Sequence, residues 1–297
     1  MRPAAGGARG FLMPAPFVAL THLHRLRTKE GPFPFAPQEP FSAMWSSIES
    51  AFGQLFLVSG GVLMLFGRSL AEIRLARRDV QRLMRQMVNI GVNTLPLAAA
   101  IGLFTGMIFA LNMGLPLRDY GAENNIGGIL GVALVRELAP VFTAFILAAR
   151  VGAAMTAELG TMAVSDEIDS LRVLGIQPTR YLAMPRIVAS LVMNPLLTVY
   201  ASATGLVGGA LLSSAYLGVG YSTFWTHVWR VVDLKEINTG LIKALTFGAL
   251  YSTICIYYGL TTRGGAEGVG RSTTRAVVVS LTSILVADFL LTRALFG

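Results

Sequence analysis

Arg136 and Glu137 are adjacent ionisable residues inside the apolar run ALVRELAPVF. An arginine near the centre of a bilayer costs about 2.5–3.5 kcal/mol on insertion scales, so such residues usually face a bundle interior or a wet cavity. In that setting Arg136 can pair with an anionic group. A structural ion pair between helices and snorkelling toward the membrane surface are the open alternatives. Adjacent helical residues point about 100° apart, so we do not expect these two to neutralise each other directly.

The sequence contains no catalytic constellation. It has no GxxxxGK[ST] phosphate loop, so we expect no nucleotide hydrolysis by the chain itself. The three histidines are scattered, and neither HExxH nor GxSxG occurs. The single cysteine, Cys255, excludes a disulfide within the chain and a cysteine metal site. We therefore expect no enzyme, no bound cofactor and no metal.

Composition indicates a membrane protein. Charged residues make up 13% of the chain and hydrophobic residues 54%, whereas soluble domains carry roughly 25% charged residues. The net charge of +8 is concentrated beside the apolar runs. That pattern is typical of anchoring to an anionic membrane face, so we do not expect a nucleic-acid partner.

Five apolar segments are long enough to span a bilayer, which takes about 20 helical residues. They predict an all-α integral membrane protein with transmembrane helices at residues 90–113, 126–157, 187–217, 241–260 and 276–296. Two of the segments, 126–157 and 187–217, exceed this length by a wide margin, and Pro140 and Pro195 within them can introduce kinks.

The segments before the first span are of three kinds. Residues 1–45, rich in Pro, Gly and Arg, are expected to be a disordered cytoplasmic tail, with a transit peptide as the alternative. The segment 51–67 is too short for a clear membrane span and has two glycines at its centre, so we expect it to lie in the membrane interface. Residues 69–89 combine an apolar stripe with five arginines, which predicts a basic amphipathic helix on the membrane surface.

A polar island, residues 158–186, separates two of the apolar runs. Ser165 is placed to cap a short helix at about 165–174, with Asp166 and Glu167 in its first turn. Its apolar face is formed by Val164, Ile168, Leu171 and Leu174. Such a helix is suited to docking on a partner outside the bilayer, although an ordinary loop helix at the lipid surface is an equal alternative.

Arginine positions predict the orientation of the chain. The loops on the side of residues 165–174 hold Arg172, Arg180, Arg186, Arg263, Arg271 and Arg275. The loops on the other side hold fewer, with Arg118, Arg230, Lys235 and Lys243 in or beside them. By the positive-inside rule, the amino end and the short helix are cytoplasmic, and the carboxyl end lies outside.

Other polar and small residues have structural interpretations. Arg150 and Glu158 are expected to snorkel near a helix end, and Asp288 is expected to make a helix-packing contact. Gly102 and Gly106 form a GxxxG pair, which predicts close helix packing either within one chain or between two.

Several motifs in combination resemble the MlaE/YrbE family. They are LVRELAPV (134–141), ARVGAAMTAELGTM (149–162), DEIDSLRVLGIQP (166–178), RYLAMPR (180–186) and GRSTTRAVV (270–278). The resemblance covers about 46–297. Members are permease subunits of ABC transporters that move phospholipids between the inner and outer membranes of Gram-negative bacteria.

The resemblance implies a homodimer, a separate cytoplasmic ATPase that uses ATP, and a periplasmic MCE-domain protein. It makes residues 46–89 an interfacial elbow and residues 165–174 the coupling helix. The implied coupling residues are Asp166, Glu167, Ile168, Asp169, Leu171 and Leu174. The implied lipid pocket between the two copies carries over to Leu111, Asn112, Leu115, Tyr120, Arg136 and Glu137.

Two other functions remain as alternatives. An ion-coupled secondary transporter could use Glu137 or Asp288 as its proton site, although we see no internal repeat of the kind such folds often have. The second alternative is a membrane scaffold without transport activity. The coupling-like helix argues against both.

Overall fold

Helices make up the fold, and no strand occurs in the residues that the computed structural model describes, which are 59–69, 71–72 and 80–296. All of them belong to one unit of the chain, residues 57–297. The expected tail at 1–45 and parts of the two predicted interfacial segments, 51–58 and 73–79, lie outside the described residues.

We number the helices of the described residues α1 to α9 in chain order. They are α1 (59–69), α2 (Val80–Ile90), α3 (Leu95–Asp119), α4 (126–164), α5 (Glu167–Val173), α6 (Met184–Tyr216), α7 (Tyr221–Val231), α8 (Leu234–Leu260) and α9 (Gly265–Phe296).

Five helical stretches of the described chain are long and apolar enough to cross a membrane, which confirms the all-α membrane fold. They contain α3 with α2 before it, then α4, α6, α8 and α9. The predicted spans are shorter than the helices. α8 begins at Leu234 instead of 241, and α9 begins at Gly265 instead of 276. Hydropathy detects only the part of a helix that suits lipid, and both helices begin with polar turns.

Helix α4 contains two wide π-helical turns, Leu134–Leu138 and Ala148–Gly152, and each carries an arginine. Pro140 follows the first turn and has no N–H to donate to the carbonyl of Arg136. Such turns are frequent at functional sites, because the extra residue changes which side chains face a neighbouring helix. In contrast, α6 continues without interruption through Pro195.

Helices α3 and α6 pack through small residues. Every fourth residue of α3 on this face is small and buried, namely Ala98, Gly102, Gly106, Ala110 and Gly114. A Cβ atom on Gly106 would overlap the carbonyl oxygen of Gly205. The GxxxG pair therefore packs within one chain, which decides between the two alternatives left open by the sequence.

Helix α7 was not predicted, since its 11 residues are too few and too polar to span a membrane. It packs on the first turns of α4, where a Cβ atom on Gly127 would overlap the carbonyl oxygen of Phe224. Phe224 and Val228 of α7 are buried. We call this side of the bundle the α7 end.

Helix α5 follows α4 at the opposite end of the bundle, which we call the α5 end. The prediction that Ser165 caps this helix is wrong. Asp166 is the N-cap residue and adopts a left-handed conformation with φ 57°, without a side-chain capping bond. The Ser165 hydroxyl lies 3.0 Å from the carbonyl oxygen of Thr161, to which it donates, and 3.1 Å from Glu167 Oε1. The chain turns at Asp166, so Ser165 belongs to the end of α4.

We predict that Gly106→Leu disrupts the bundle, because a side chain at this position must separate the α3 and α6 backbones. Overpacking of a tight core costs about 1–3 kcal/mol. We expect a loss of stability in the upper part of that range, because the new side chain would meet backbone atoms of Gly205 rather than a movable side chain. The measurement is the apparent thermal unfolding midpoint in detergent. Gly270→Leu is the matched control, since nothing lies within 4 Å of a Cβ there. An equal midpoint for both variants would contradict the packing argument.

Candidate functional site

Lys243 of α8 is fully buried, with 0% of the residue exposed. Its ammonium group contacts the carboxylate of Glu137 on α4, which it binds through Oε2. It also lies 2.8 Å from Asp288 Oδ1 and donates to Thr292 Oγ1 at 2.7 Å, both on α9. The ammonium thus has two hydrogen-bond acceptors, Glu137 and Thr292, and an ion-pair contact with Asp288. This network joins three membrane-spanning helices.

The prediction that Asp288 makes a helix-packing contact is confirmed, and its cation is Lys243 of α8 rather than an arginine of its own helix. The distribution of basic residues places Lys243 in or beside an outer loop, but it lies nine residues inside α8. A lysine and an aspartate within two separate apolar spans were the available signal, because unpaired charges are unfavourable there.

Arg136 and Glu137 are in direct contact, contrary to the expectation from helical geometry. Arg136 Nε donates to Glu137 Oε1 at 3.3 Å. The contact forms within the π-helical turn Leu134–Leu138, where the spacing of side chains differs from that of a regular α-helix. Glu137 therefore binds Lys243 with one oxygen and faces Arg136 with the other.

Arg136 has two further neighbours at the α7 end. Glu236 Oε2 of α8 lies 4.0 Å from Arg136 Nε. The ring of Phe296, near the end of α9, covers the guanidinium, with its centroid 3.2 Å from Cζ. Lys235 Nζ lies 4.9 Å from the same centroid. Three cations (Arg136, Lys235 and Lys243) and three carboxylates (Glu137, Glu236 and Asp288) thus balance in this cluster.

A cavity of about 570 Å³ opens beside this cluster. Arg136 and Glu137 form part of its wall, and most of the remainder is apolar. The lining residues are Asn125, Gly128, Ile129, Val132, Ala133, Arg136, Glu137, His227 and Val231. Asn125 and His227 were not predicted from sequence, since His227 lies on the unpredicted helix α7. The arrangement can hold a polar, charged group at Arg136 and apolar groups along α4 and α7.

The other four expected pocket residues lie elsewhere in the chain. Leu111 is half-buried on α3, and Asn112 and Leu115 are exposed on the same helix. Tyr120 follows the end of α3 and is 86% exposed. None of the four lines the cavity at Arg136. A single chain therefore does not bring the two sets of predicted pocket residues into one cavity.

The expected coupling residues divide into two groups. Ile168 is 4% exposed and packs in the core with residues of the membrane-spanning helices, where Leu171 also contributes. Both side chains attach α5 to its own chain. Leu174 is 73% exposed, and its neighbour Val173 is also exposed. Asp166, Glu167 and Asp169 are exposed as well, and Asp169 Oδ1 accepts a 2.6 Å hydrogen bond from Arg172.

Arg150 and Glu158, which are expected to snorkel, also have partners within the chain. Arg150 Nη1 donates to Thr94 Oγ1 at 2.6 Å, which joins the second π-helical turn to the start of α3. Glu158 Oε1 lies 2.7 Å from Arg186 Nη2, which joins α4 to α6 near the α5 end. Arg186 is buried and also donates to the carbonyl oxygen of Leu182. Both arginines therefore join helices.

No group of three or more His, Cys, Asp or Glu side chains suited to a metal ion occurs in the described part of the chain. The charged cluster at Arg136 contains three carboxylates, but each lies near a cation of the protein.

Comparison with known proteins agrees with this architecture. The family described as "Permease MlaE" matches residues 83–294. The chain belongs to the MlaE permease family. A probable ABC transporter permease of Synechocystis is 38% identical over 78% of this chain and 88% of its own length. The intermembrane phospholipid transport system permease MlaE of Haemophilus influenzae is 34% identical over 79% of this chain and 90% of its own.

A plant protein extends the comparison toward the amino end of the chain. Protein TRIGALACTOSYLDIACYLGLYCEROL 1 of Arabidopsis thaliana, a chloroplast protein, is 35% identical over 91% of this chain and 73% of its own length. The resemblance inferred from the motifs is thus confirmed, and the names of the Synechocystis and Haemophilus relatives describe permeases. In this MlaE-family chain, Arg136, Glu137, Lys243 and Asp288 all lie within the matched residues.

We predict that Lys243→Met destabilises this permease strongly, because Glu137 and Asp288 lose their shared cation. Breaking a buried pair costs about 3–5 kcal/mol, and we expect about 3 kcal/mol because both carboxylate side chains are only partly buried. The measurement is the apparent unfolding midpoint in detergent. Lys243→Met/Asp288→Asn should recover part of the loss, while Lys235→Met at an exposed position should change little. A double variant no better than the single one would contradict the ion-pair argument.

Proposed function

We propose that this chain is the membrane-spanning subunit of an ABC transporter that moves phospholipids between the inner and outer membranes. The observation that carries the proposal is the cavity of about 570 Å³ with Arg136 and Glu137 in an otherwise largely apolar wall. A phospholipid presents the matching chemistry, an anionic phosphate attached to apolar tails. The relatives named as ABC permeases and as a phospholipid transport permease support the same function.

Arg136 is the residue that we assign to the lipid phosphate. Its Nε faces Glu137, and the terminal nitrogens of its guanidinium make no hydrogen bond within the described ranges 59–69, 71–72 and 80–296. Guanidinium edges bind phosphate oxygens well, often with two parallel hydrogen bonds. The balanced charge of the surrounding cluster makes recognition depend on this edge rather than on a large positive field. Glu137, held by Lys243, orients Arg136.

The second copy of the chain supplies the rest of the pocket in this proposal. Leu111, Asn112, Leu115 and Tyr120 lie away from the Arg136 cavity in one chain, and assembly of the pocket between two copies accounts for the separation. The face of α3 opposite its glycine face supports this arrangement, since Phe104 and Ile108 are exposed there. The lipid tails would occupy this apolar region.

The α5 end is assigned to the cytoplasm, where a separate ATPase supplies the energy from ATP. Arg172, Arg180 and Arg263 lie at this end, in agreement with the positive-inside rule. The exposed Val173 and Leu174 provide the apolar contact for the ATPase, and Asp166, Glu167 and Asp169 provide the acidic one. The buried Ile168 and Leu171 hold the helix on the permease.

The α7 end is assigned to the periplasmic side of the inner membrane in a Gram-negative bacterium. Exposed aromatic side chains at this end, Tyr120, Tyr216 and Trp229, are typical of a membrane–water interface. A periplasmic MCE-domain protein would exchange lipid with the pocket here. The amino end of the chain is then cytoplasmic.

The ion-coupled alternative is less well supported. Its expected proton sites, Glu137 and Asp288, both contact the ammonium of Lys243. Both carboxylates are therefore engaged in joining α4, α8 and α9 through this lysine.

We predict that Arg136→Gln weakens phospholipid binding by about ten- to hundred-fold, since a hydrogen bond to a charged group contributes about 1.5–3 kcal/mol. The measurement is the phospholipid phosphorus that co-purifies with the protein, together with titration of a fluorescent phospholipid. Arg118→Gln, at an exposed position near the end of α3, is the matched control. Unchanged binding by Arg136→Gln would overturn the assignment of the pocket.

We predict that Leu174→Asp abolishes recovery of an ATPase when the tagged chain is purified from native membranes, because a charge replaces an exposed apolar contact. Gly270→Asp, exposed near the α5 end, controls for added charge. The readout is ATPase protein and ATP hydrolysis in the eluate. Full recovery with Leu174→Asp would place the docking surface elsewhere, and absence of an ATPase from folded wild type would favour the secondary transporter.

A further inference from the structure

Phe296 occupies an unusual position beside the charged cluster. Its half-buried ring lies close to two cations, with Arg136 Cζ 3.2 Å and Lys235 Nζ 4.9 Å from the ring centroid. Cations within about 6 Å of a ring centroid are attracted by the negative face of the aromatic ring. An apolar residue near the end of α9 therefore interacts with the arginine of α4 by electrostatics as well as by packing.

The ring restricts how Arg136 can be approached. One face of the guanidinium is covered by Phe296, and Nε is directed at Glu137 at 3.3 Å. The terminal nitrogens form the remaining edge, and the residue lines the cavity. A planar guanidinium held on one face and at one nitrogen retains few orientations, so less entropy is lost when its edge binds a ligand.

Glu236 is the carboxylate that competes for the Arg136 guanidinium. Its Oε2 lies 4.0 Å from Arg136 Nε, which is too long for a hydrogen bond but within the range of an ion pair. Oε2 is also buried without a hydrogen-bond partner among the described residues. An unsatisfied buried carboxylate oxygen is unfavourable, so a mobile Arg136 would move toward Glu236. The Phe296 ring is the contact that opposes this movement.

We propose that Phe296 is a positioning residue that holds the Arg136 guanidinium against capture by Glu236 and so keeps its edge available to a phosphate. The inference rests on the proposed function, because it assigns Arg136 to the lipid headgroup. An aromatic ring is required in this role. An aliphatic side chain of similar size fills the space but does not attract the cation.

The experiment compares binding of nitrobenzoxadiazole-labelled phosphatidylglycerol to the full-length chain in detergent, with an unfolding midpoint for every variant. Phe296→Leu should bind about two- to thirty-fold more weakly than wild type. Phe296→Tyr, which keeps the ring, should bind like wild type. Phe289→Leu, on an exposed part of the same helix, is the control for α9.

The decisive variant is Phe296→Leu/Glu236→Gln. Removing the competing charge should restore binding toward the wild-type value, which a purely structural role of Phe296 would not produce. Equal binding by Phe296→Leu and wild type, with weak binding by Arg136→Gln, would overturn the inference alone. Equal weakening by Phe296→Leu and Phe296→Tyr, or no recovery in the double variant, would also overturn it. Normal binding by Arg136→Gln would instead overturn the proposed function.

Discussion

The structure depends on one constraint, the placement of the Lys243 ammonium among membrane-spanning helices. Hydrocarbon offers no water to solvate this charge, so the protein must supply its partners. Glu137 and Thr292 accept its hydrogen bonds and Asp288 forms an ion pair with it, all from two other helices. Their positions fix α4, α8 and α9 relative to one another. The orientation of Glu137, and through it that of Arg136, follows from the same requirement.

A second constraint acts between α3 and α6, where glycine brings two backbones into contact. Membrane helices gain little from burying apolar surface against each other, so close packing of small residues and interhelical polar contacts hold them together. The small face of α3 accordingly faces α6, and its larger apolar residues, including Phe104 and Ile108, remain exposed. The division of α3 into two faces thus determines which surface is left for lipid or for another chain.

Sequence reasoning predicted the five spans and the α5 helix, because long apolar runs and a polar island are local features of the chain. It did not predict α7. The amphipathic sequence of this helix, YSTFWTHVWRV, is too short and polar for a span, and its packing surface on Gly127 and Gly128 is known only from the folded structure. It placed Arg136 and Glu137 together, and the cavity contains both. The pairing of Lys243 with Asp288 could not be predicted, since residues 45 apart on separate helices meet only after the helices have packed.

Helix α5 is attached to the bundle through buried side chains, and an ion pair joins α4 to α6 close by. At the α5 end, Ile168 is buried among membrane-spanning helices, and Arg186 joins α4 to α6 through Glu158. A force on α5 therefore acts directly on the end of α4. The other part of α4 carries Arg136 and Glu137, with two π-helical turns between the helix termini. Wide turns of this kind are frequent at functional sites, and each of the two carries an arginine, so the irregular backbone of α4 lies where its cationic side chains lie.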